Sequence, residues 1–127
     1  MPQARRALLL VAHGSRRAAS NEEVRRVAAR LRAAGAFDHV AAAFLELAEP
    51  DIPTGIEQCL AAGVDEVLVY PYFLSAGRHV SEDIPRAVAA KQTEHPAARI
   101  ILAPHLGAAE GIGEAILRHA RQVLETP

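Results

Sequence analysis

Short apolar runs alternate with segments of helical periodicity four times along this chain of 127 residues. The runs cover residues 7–12, 40–47, 66–74 and 99–103. The first is continuous and has polar residues on both sides, which is typical of a parallel strand buried on both faces. We therefore predict four strands, each followed by a helix.

The helices are predicted from apolar residues at helical spacing and from their start and stop signals. Ser20 and Glu23 match the S-x-x-E capping box, and Gly35 matches a C-terminal cap, so the first helix is expected between them. The other helices are predicted from Asp51 to the stop at Gly63, over residues 81–93, and over residues 112–123.

The alternation of strands and helices predicts an α/β fold. We expect an open, four-stranded parallel sheet with helices on both faces, and residues 1–127 as a single domain. Right-handed crossovers favour the flavodoxin-like strand order 2-1-3-4, in which ligands bind beyond the carboxyl ends of strands 1 and 3. His13 and His79 follow these two strands.

Composition narrows the class of protein. The net charge of −1 gives no reason to expect a nucleic-acid partner, and no apolar run approaches the ~20 residues of a membrane span. We therefore expect a cytoplasmic protein. Cys59 is the only cysteine, which excludes an internal disulfide and a cysteine-rich metal site within one chain. A metal would need His, Asp or Glu ligands.

Three side chains with ligand chemistry lie at the ends of the first three predicted strands: His13 follows strand 1, Glu46 closes strand 2 and His79 follows strand 3. Two imidazoles and a carboxylate suit a divalent Fe, Co, Ni or Zn ion and leave coordination positions open. A carboxylate within an apolar strand end needs a cationic partner, because its desolvation is costly. An ion pair with a nearby arginine, and a backbone hydrogen bond for His13, remain alternatives to ligation.

Other chemistry has weaker support. His105 follows strand 4 and could reach the same edge of the sheet, as a ligand or behind one. Ser15 lacks the G-x-S-x-G context of a nucleophilic serine, and the glycines near strand 1 match no dinucleotide or P-loop motif.

The residues around these positions resemble a known family. HGSR after strand 1, FLE at the end of strand 2 and P-Y-F-L-x-x-G-R-H-V-x-x-D-I-P from Pro71 to Pro85 closely resemble the small sirohydrochlorin chelatases. The resemblance covers about residues 8–107. It implies a lyase that inserts a divalent ion into sirohydrochlorin, on the way to cobalamin or sirohaem. The ion is then a substrate, Co²⁺ ahead of Fe²⁺ or Ni²⁺, and no organic cofactor is implied.

The resemblance also implies roles for individual residues. His13, Glu46 and His79 fall on the family's metal-binding and catalytic positions. Arginines suit the carboxylate-rich rim of sirohydrochlorin, and aromatic side chains suit its ring. The expected substrate contacts are Ser15, Arg16, Arg17, Tyr72, Phe73 and Arg78. His105 departs from the family's pattern, which has a proline or small residue there.

Two matters stay open in the sequence. Single-lobe members of the family pair as homodimers, and Leu117 and Leu124 broaden the apolar stripe of the last helix, which either a second copy or ordinary packing would bury. The same three ligands would also serve a non-catalytic metal carrier or sensor. A third hypothesis is a phosphate-ester enzyme that uses His13 covalently.

Overall fold

The computed structural model describes residues 4–127, apart from the side chain of His79. Within these residues, one sheet is formed by four strands: β1 (Arg6–Ala12), β2 (His39–Phe44), β3 (Glu66–Pro71) and β4 (Arg99–Leu102). All neighbouring strands pair in parallel, in the order β2-β1-β3-β4. The predicted α/β fold and strand order are confirmed.

The helices alternate with the strands. They are α1 (Ala18–Ala33), α2 (Ile52–Ala61), α3 (Ile84–Glu94) and α4 (Ile112–Glu125). A π-helical turn (His79–Asp83) runs directly into α3, and a 3₁₀ turn (Leu106–Ala108) lies between β4 and α4. These two turns occupy the carboxyl edge of the sheet, because they follow β3 and β4.

The two faces of the sheet are covered unequally. One face packs on α2 and α3 and contains fully buried side chains such as Val67 and Val69. The other face packs on α1 at β1 and β2, where Leu8 and Leu10 are buried. A parallel sheet normally needs cover on both faces, because its strands are apolar on both.

The remainder of the second face forms what we call the open half-face: Leu68 and Tyr70 of β3 and Ile101 of β4, all only half-buried. The fourth helix does not cover it. All of α4 lies in the described part of the chain, none of its side chains is buried there, and it packs chiefly against the 3₁₀ turn. Four of its large apolar side chains are each more than half exposed: Ile116, Leu117, Val123 and Leu124.

The capping box at Ser20 and Glu23 was a wrong prediction. The α1 helix begins at Ala18, and within the described residues no side-chain hydrogen bond caps its first turn. The helix starts early because the Ser20 amide already donates to the carbonyl oxygen of Arg17 at 3.0 Å. Two other helix-end predictions hold, since Gly35 follows α1 with φ +76° and the Asp51 side chain accepts from the Thr54 amide at the start of α2.

Both β2 and β3 end before the predicted residues 47 and 74. After β2, Leu47 takes a positive φ of 65°, which turns the chain away from the sheet. Pro71, the last residue of β3, has no amide hydrogen to continue the ladder. The Phe73 amide then donates back to the Pro71 carbonyl oxygen at 3.0 Å, which closes a tight turn.

Among the described residues, no helix combines the length and the apolar composition that crossing a membrane requires.

Candidate functional site

Three loops leave the sheet side by side at its carboxyl edge. His13 is the first residue after β1, Glu46 lies two residues after β2, and His79 opens the π-helical turn that follows β3. β1 is the central strand of these three, since it pairs with both β2 and β3. The side chain of His79 lies outside the described residues, so its predicted role is not tested by the geometry.

The structure brings the side chains of His13 and Glu46 together. The Nε2 atom of His13 lies 3.5 Å from Oε1 of Glu46, and the two side chains are 48% and 54% exposed. The other ring nitrogen, Nδ1, is 3.1 Å from the carbonyl oxygen of Gly14. The pair therefore faces solvent at the edge of the sheet, where a small molecule or ion has access.

The exposure of Glu46 corrects one step of the sequence analysis. Glu46 was expected within an apolar strand end, where a buried carboxylate would require a cation. β2 ends at Phe44, and the Glu46 side chain is half in solvent, so desolvation does not force a partner on it.

The backbones of the two loops are fastened to each other. The Glu46 amide donates to the carbonyl oxygen of His13 at 3.1 Å, and the Leu45 amide donates to that of Ala12 at 3.0 Å. Gly14, with φ +95°, lies so close that a Cβ atom there would sit 1.8 Å from the carbonyl oxygen of Glu46. Only glycine fits this position, both for its conformation and for the space.

Asn21 is a residue of this site that the sequence analysis missed. It is 7% exposed and is the only buried polar side chain among the described residues. Its amide accepts from the Ser15 N–H at 2.9 Å and donates to the Ser15 carbonyl oxygen at 2.8 Å. A signal was present, because Asn21 lies in helical register with the inward-facing Val24 and Ala28.

The predicted anion-binding arginines are exposed. Arg16 and Arg17 lie in the loop before α1, and the Arg17 amide donates to Oγ of Ser15 at 3.0 Å. The Arg78 side chain is 82% exposed, and its Nε atom is 3.8 Å from a carboxylate oxygen of Glu82. Such an exposed pair stabilises little, so the guanidinium can exchange partners at low cost.

The aromatic residues after β3 divide between two sides of the sheet. Tyr72 packs with the cluster under α1, and Phe73 packs with the cluster under α2 and α3. Leu74 is exposed, and together with Leu106 these residues line a groove of about 220 Å³. Both aromatic side chains are half-buried, so each offers part of its surface to a ligand.

His105 lies farther along the same edge. It precedes the 3₁₀ turn and is half-buried. Its strand, β4, is two strands from β1, which places the end of β4 about 10 Å from the end of β1 at the usual strand spacing. The strand order therefore separates His105 from the pair formed by His13 and Glu46.

A groove of about 770 Å³ opens beside Glu46, along the loop between β2 and α2. Its lining includes Glu49 and Asp51, and the hydrogen bonds from Thr54 to Asp51 lower the pKa of that carboxyl. Asp51 therefore stays ionised, and the groove carries negative charge next to the candidate site.

One further cluster offers three ligand atoms within 4.8 Å of one another, from Glu57, Glu94 and His95. Lys91 occupies this cluster, with its Nζ atom 3.0 Å from Glu57 and 2.7 Å from Glu94. Hydrogen bonds from His95 and Lys91 lower the pKa of Glu57. The hydrogen bonds that Lys91 donates to Glu94 and Glu57 raise the pKa of Lys91. The Lys91 ammonium group occupies the place that a metal ion would take. Its ion pair with Glu57 joins α3 to α2.

Cys59 takes no part in metal chemistry. Its side chain is fully buried in the core, and this burial raises the pKa of the thiol to about 11. The thiolate, which is the form that binds metals, is therefore absent near neutral pH.

Comparison with known proteins places these residues in context. The family model named CbiX matches residues 7–123. A sirohydrochlorin cobaltochelatase from Methanococcus maripaludis is 41% identical over 80 residues, which are 63% of this chain and 56% of that protein. A cobaltochelatase from Sulfurisphaera tokodaii is 30% identical over 119 residues, 94% of each chain. A sirohydrochlorin ferrochelatase from Bacillus subtilis is 29% identical over 119 residues, 94% of this chain and 46% of its own.

Solved structures show the same fold. A cobalamin-biosynthesis CbiX protein from Marinobacter aquaeolei superposes with a TM-score of 0.77 at 32% identity, over 94% of this chain and 98% of its own. The sirohydrochlorin chelatase SirB from Bacillus subtilis subspecies spizizenii, solved in complex with cobalt, gives a TM-score of 0.79 at 30% identity. That match covers 94% of this chain and 51% of SirB. The chain thus spans little more than half the length of several relatives that it matches.

Proposed function

Because this chain belongs to the CbiX family of small sirohydrochlorin chelatases, we propose that it inserts a divalent metal ion into sirohydrochlorin. Two pyrrole N–H protons leave as the ion enters. The relatives include both cobaltochelatases and ferrochelatases. We propose Co²⁺ ahead of Fe²⁺, because two cobaltochelatases are 38% and 41% identical to this chain and the Bacillus subtilis ferrochelatase is 29% identical.

The observation that carries this proposal is the 3.5 Å separation between Nε2 of His13 and Oε1 of Glu46. This distance is long for a hydrogen bond between a ring nitrogen and a carboxylate. It matches the distance between two ligands of one tetrahedral ion, which is about 3.4 Å for metal–ligand bonds of about 2.1 Å. His13 and Glu46 are therefore proposed as ligands of the incoming ion.

His79 is proposed as the third ligand. Its backbone lies in the segment that follows β3, the other neighbour of β1, so the three proposed ligands come from the segments that follow three adjacent strands. Two protein histidines and a carboxylate leave positions for the pyrrole nitrogens. Since neutral imidazole accepts protons near pH 7, His13 or His79 would take up a departing proton at the ring nitrogen that the ion vacates.

The surroundings of the pair supply contacts for a carboxylate-rich macrocycle. Arg16, Arg17 and Arg78 are exposed near the same edge and would bind the carboxylates by charge-assisted hydrogen bonds. The exposed parts of Tyr72 and Phe73 would contact the ring, and Ser15 would add a polar contact. His105 stays a candidate extra contact, since β4 neighbours β3, the strand that His79 follows.

The test is metal insertion by the purified protein. Metal-free protein is mixed with sirohydrochlorin and Co²⁺, or anaerobically with Fe²⁺, and the spectral conversion is compared with a protein-free control. We expect faster conversion with protein, and a loss of about a hundredfold or more in His13→Ala and Glu46→Gln. His39→Ala is the matched control, since His39 begins β2 at the opposite edge of the sheet.

The outcomes separate the competing hypotheses. Tight Co²⁺ binding with conversion no faster than the control would identify a carrier or sensor. Unchanged Co²⁺ affinity and activity in His13→Ala and His79→Ala would overturn the assignment of the site. Phosphohistidine at His13 after exposure to phosphate esters would favour the third hypothesis.

A second copy of the chain is proposed as the protein partner. The open half-face and the apolar stripe of α4 are both uncovered among the described residues, and they have matching lengths. The 14 residues of α4 span about 21 Å, and the six residues of β3 span about 20 Å. We propose that α4 of each copy lies on the open half-face of the other.

The 3₁₀ turn before α4 is anchored to the segment after β3, and this anchor supports the proposed exchange of α4 between two copies. The Gly107 amide donates to the Phe73 carbonyl oxygen at 3.0 Å, and a Cβ atom at Gly107 would lie 1.8 Å from the carbonyl oxygen of Leu74. The 3₁₀ turn is therefore fixed against the chain that follows β3, and it sets the direction in which α4 departs.

A further inference from the structure

We propose that Asn21 is a positioning residue for metal insertion, which holds the loop of His13 in place without touching the substrates. The inference rests on the proposed function. It is carried by two hydrogen bonds between the buried side-chain amide of Asn21 and the backbone of one loop residue, Ser15. Asn21, on the buried side of α1, thereby gains a role in the reaction.

The amide of Asn21 satisfies both backbone groups of Ser15 at once. The 2.9 Å bond from the Ser15 N–H and the 2.8 Å bond to the Ser15 carbonyl oxygen fix the orientation of two successive peptide units. Ser15 is half-buried, so these groups would be poorly hydrated without Asn21. A carboxamide is the smallest side chain that offers a donor and an acceptor in one plane.

The loop of His13 is thereby held from two sides. On the β2 side, the Glu46 amide donates to the His13 carbonyl oxygen, and the Glu46 carbonyl oxygen fills the space beside Gly14. On the α1 side, Asn21 holds Ser15, two residues after His13. The loop has little freedom left, so the imidazole keeps its position relative to the Glu46 carboxylate.

Asn21 also occupies a position where packing favours an apolar side chain. It lies in register with Val24 and Ala28, which pack with the cluster under α1. A leucine there would bury more apolar surface, but it would leave the two groups of Ser15 without their present partners. Departures from a local sequence pattern of this kind are expected at functional sites.

The chain contains a matched control in Gln92. Its amide donates to the carbonyl oxygens of His95 and Ala98 at 3.1 and 2.8 Å and accepts from the Ile100 amide at 2.8 Å. It therefore holds a loop in the same manner, but before β4 and at the amino edge of the sheet. Gln92→Ala should disturb stability in the way that Asn21→Ala does, without reaching His13.

The experiment compares wild type, Asn21→Ala, Asn21→Asp and Gln92→Ala. Urea unfolding identifies the conditions in which each variant is folded. Under these conditions, the rate of Co²⁺ insertion is measured while the concentration of Co²⁺ or of sirohydrochlorin is varied in turn. We expect kcat/KM for Co²⁺ to fall by up to about a hundredfold in Asn21→Ala, while KM for sirohydrochlorin changes little. Gln92→Ala should keep the kinetic constants of wild type.

Asn21→Asp keeps the volume of the side chain and the acceptor for the Ser15 N–H, but it loses the donor to the Ser15 carbonyl oxygen. It should also lose activity toward Co²⁺, which separates a missing hydrogen bond from a cavity. This variant decides the question if Asn21→Ala does not fold. Kinetic constants in folded Asn21 variants equal to those of Gln92→Ala would overturn the inference.

This experiment distinguishes a failure of the positioning role of Asn21 from a failure of the proposed function. If wild type does not accelerate Co²⁺ insertion, the chelatase proposal itself fails, and the role of Asn21 fails with it. If wild type is active and the folded Asn21 variants are equally active, only the positioning role of Asn21 is wrong.

Discussion

The carbonyl oxygen of Glu46 occupies the space into which a side chain at Gly14 would project, 1.8 Å from the position of its Cβ atom. This contact joins the loop after β1 to the loop after β2, and these two loops carry the side chains that we propose as metal ligands. The spacing of the pair therefore depends on a residue that has no side chain.

Gly14→Ala should lower both stability and activity. Forcing an alanine to φ +95° costs about 1–2 kcal/mol, and relieving the clash with Glu46 costs about 1–3 kcal/mol, so we expect a loss of about 2–5 kcal/mol in the free energy of unfolding. Urea denaturation measures it. Gly113→Ala is the control, since a Cβ there meets nothing within 4 Å and helical alanine is favourable. Equal unfolding free energies for the two variants would contradict this account.

The N-cap of α2 should contribute a pH-dependent part of the stability. The pKa of Asp51 is lowered in the folded protein by the hydrogen bonds from Thr54, so its contribution is complete above the unfolded pKa and is lost as pH falls through the folded one. Asp51→Asn keeps a capping oxygen without the titration. We expect wild type to lose more unfolding free energy than Asp51→Asn between pH 7 and about pH 3, measured by urea denaturation. Parallel pH profiles for the two proteins would be the contrary result.

The apolar stripe of α4 should hold two copies together. A buried leucine contributes about 2 kcal/mol, and a two-fold dimer buries each contact twice, so Leu124→Glu should weaken association at least about a hundredfold. Sedimentation velocity over a range of concentrations measures the dissociation constant. Gln122→Glu adds the same negative charge to the polar face of α4 and should leave the dimer intact. A monomeric wild type, or equal dissociation constants for both variants, would rule out the exchange of α4.

Cys59 should be inert in the native protein. Burial raises the pKa of its thiol to about 11, and the side chain is inaccessible, so a thiol reagent at pH 8 should label it only through unfolding. Labelling should become rapid in denaturing urea. The visible spectrum of the Co²⁺-loaded protein should contain no thiolate-to-cobalt band and should be the same in Cys59→Ala. Fast labelling of the native protein would show that the core opens here.

Features encoded by neighbouring residues were predictable from the sequence. The alternation of apolar runs predicted the strands and their order, and Gly35 and Asp51 marked helix ends because their effects act within one turn of the chain. The ends of β2 and β3 were predicted too late, because the apolar pattern continues past the residues at which the backbone turns. Leu47 has a positive φ after β2, and the Phe73 amide donates back to the Pro71 carbonyl oxygen after β3.

The site was predictable only in part, because contacts between segments that are distant in sequence complete it. The positions of His13 and Glu46 follow from the strand order, which the pattern predicted. Their mutual distance depends on the tight contact at Gly14, and the loop after β1 is hydrogen-bonded to Asn21, a residue that the apolar pattern did not single out. Nor does the apolar stripe of α4 reveal by itself that the helix leaves its own sheet uncovered.

The central place of β1 in the sheet has a consequence for metal selection. Adjacent strands are about 4.8 Å apart, and this interval is set by the backbone hydrogen bonds of the ladder. His13 and Glu46, two of the proposed ligands, follow adjacent strands by one and two residues, so the backbone ladder helps to set the distance between their Cα atoms. Preference for one ion over another should therefore evolve through the length and identity of the side chains at positions 13 and 46, while the backbone that spaces them stays constant.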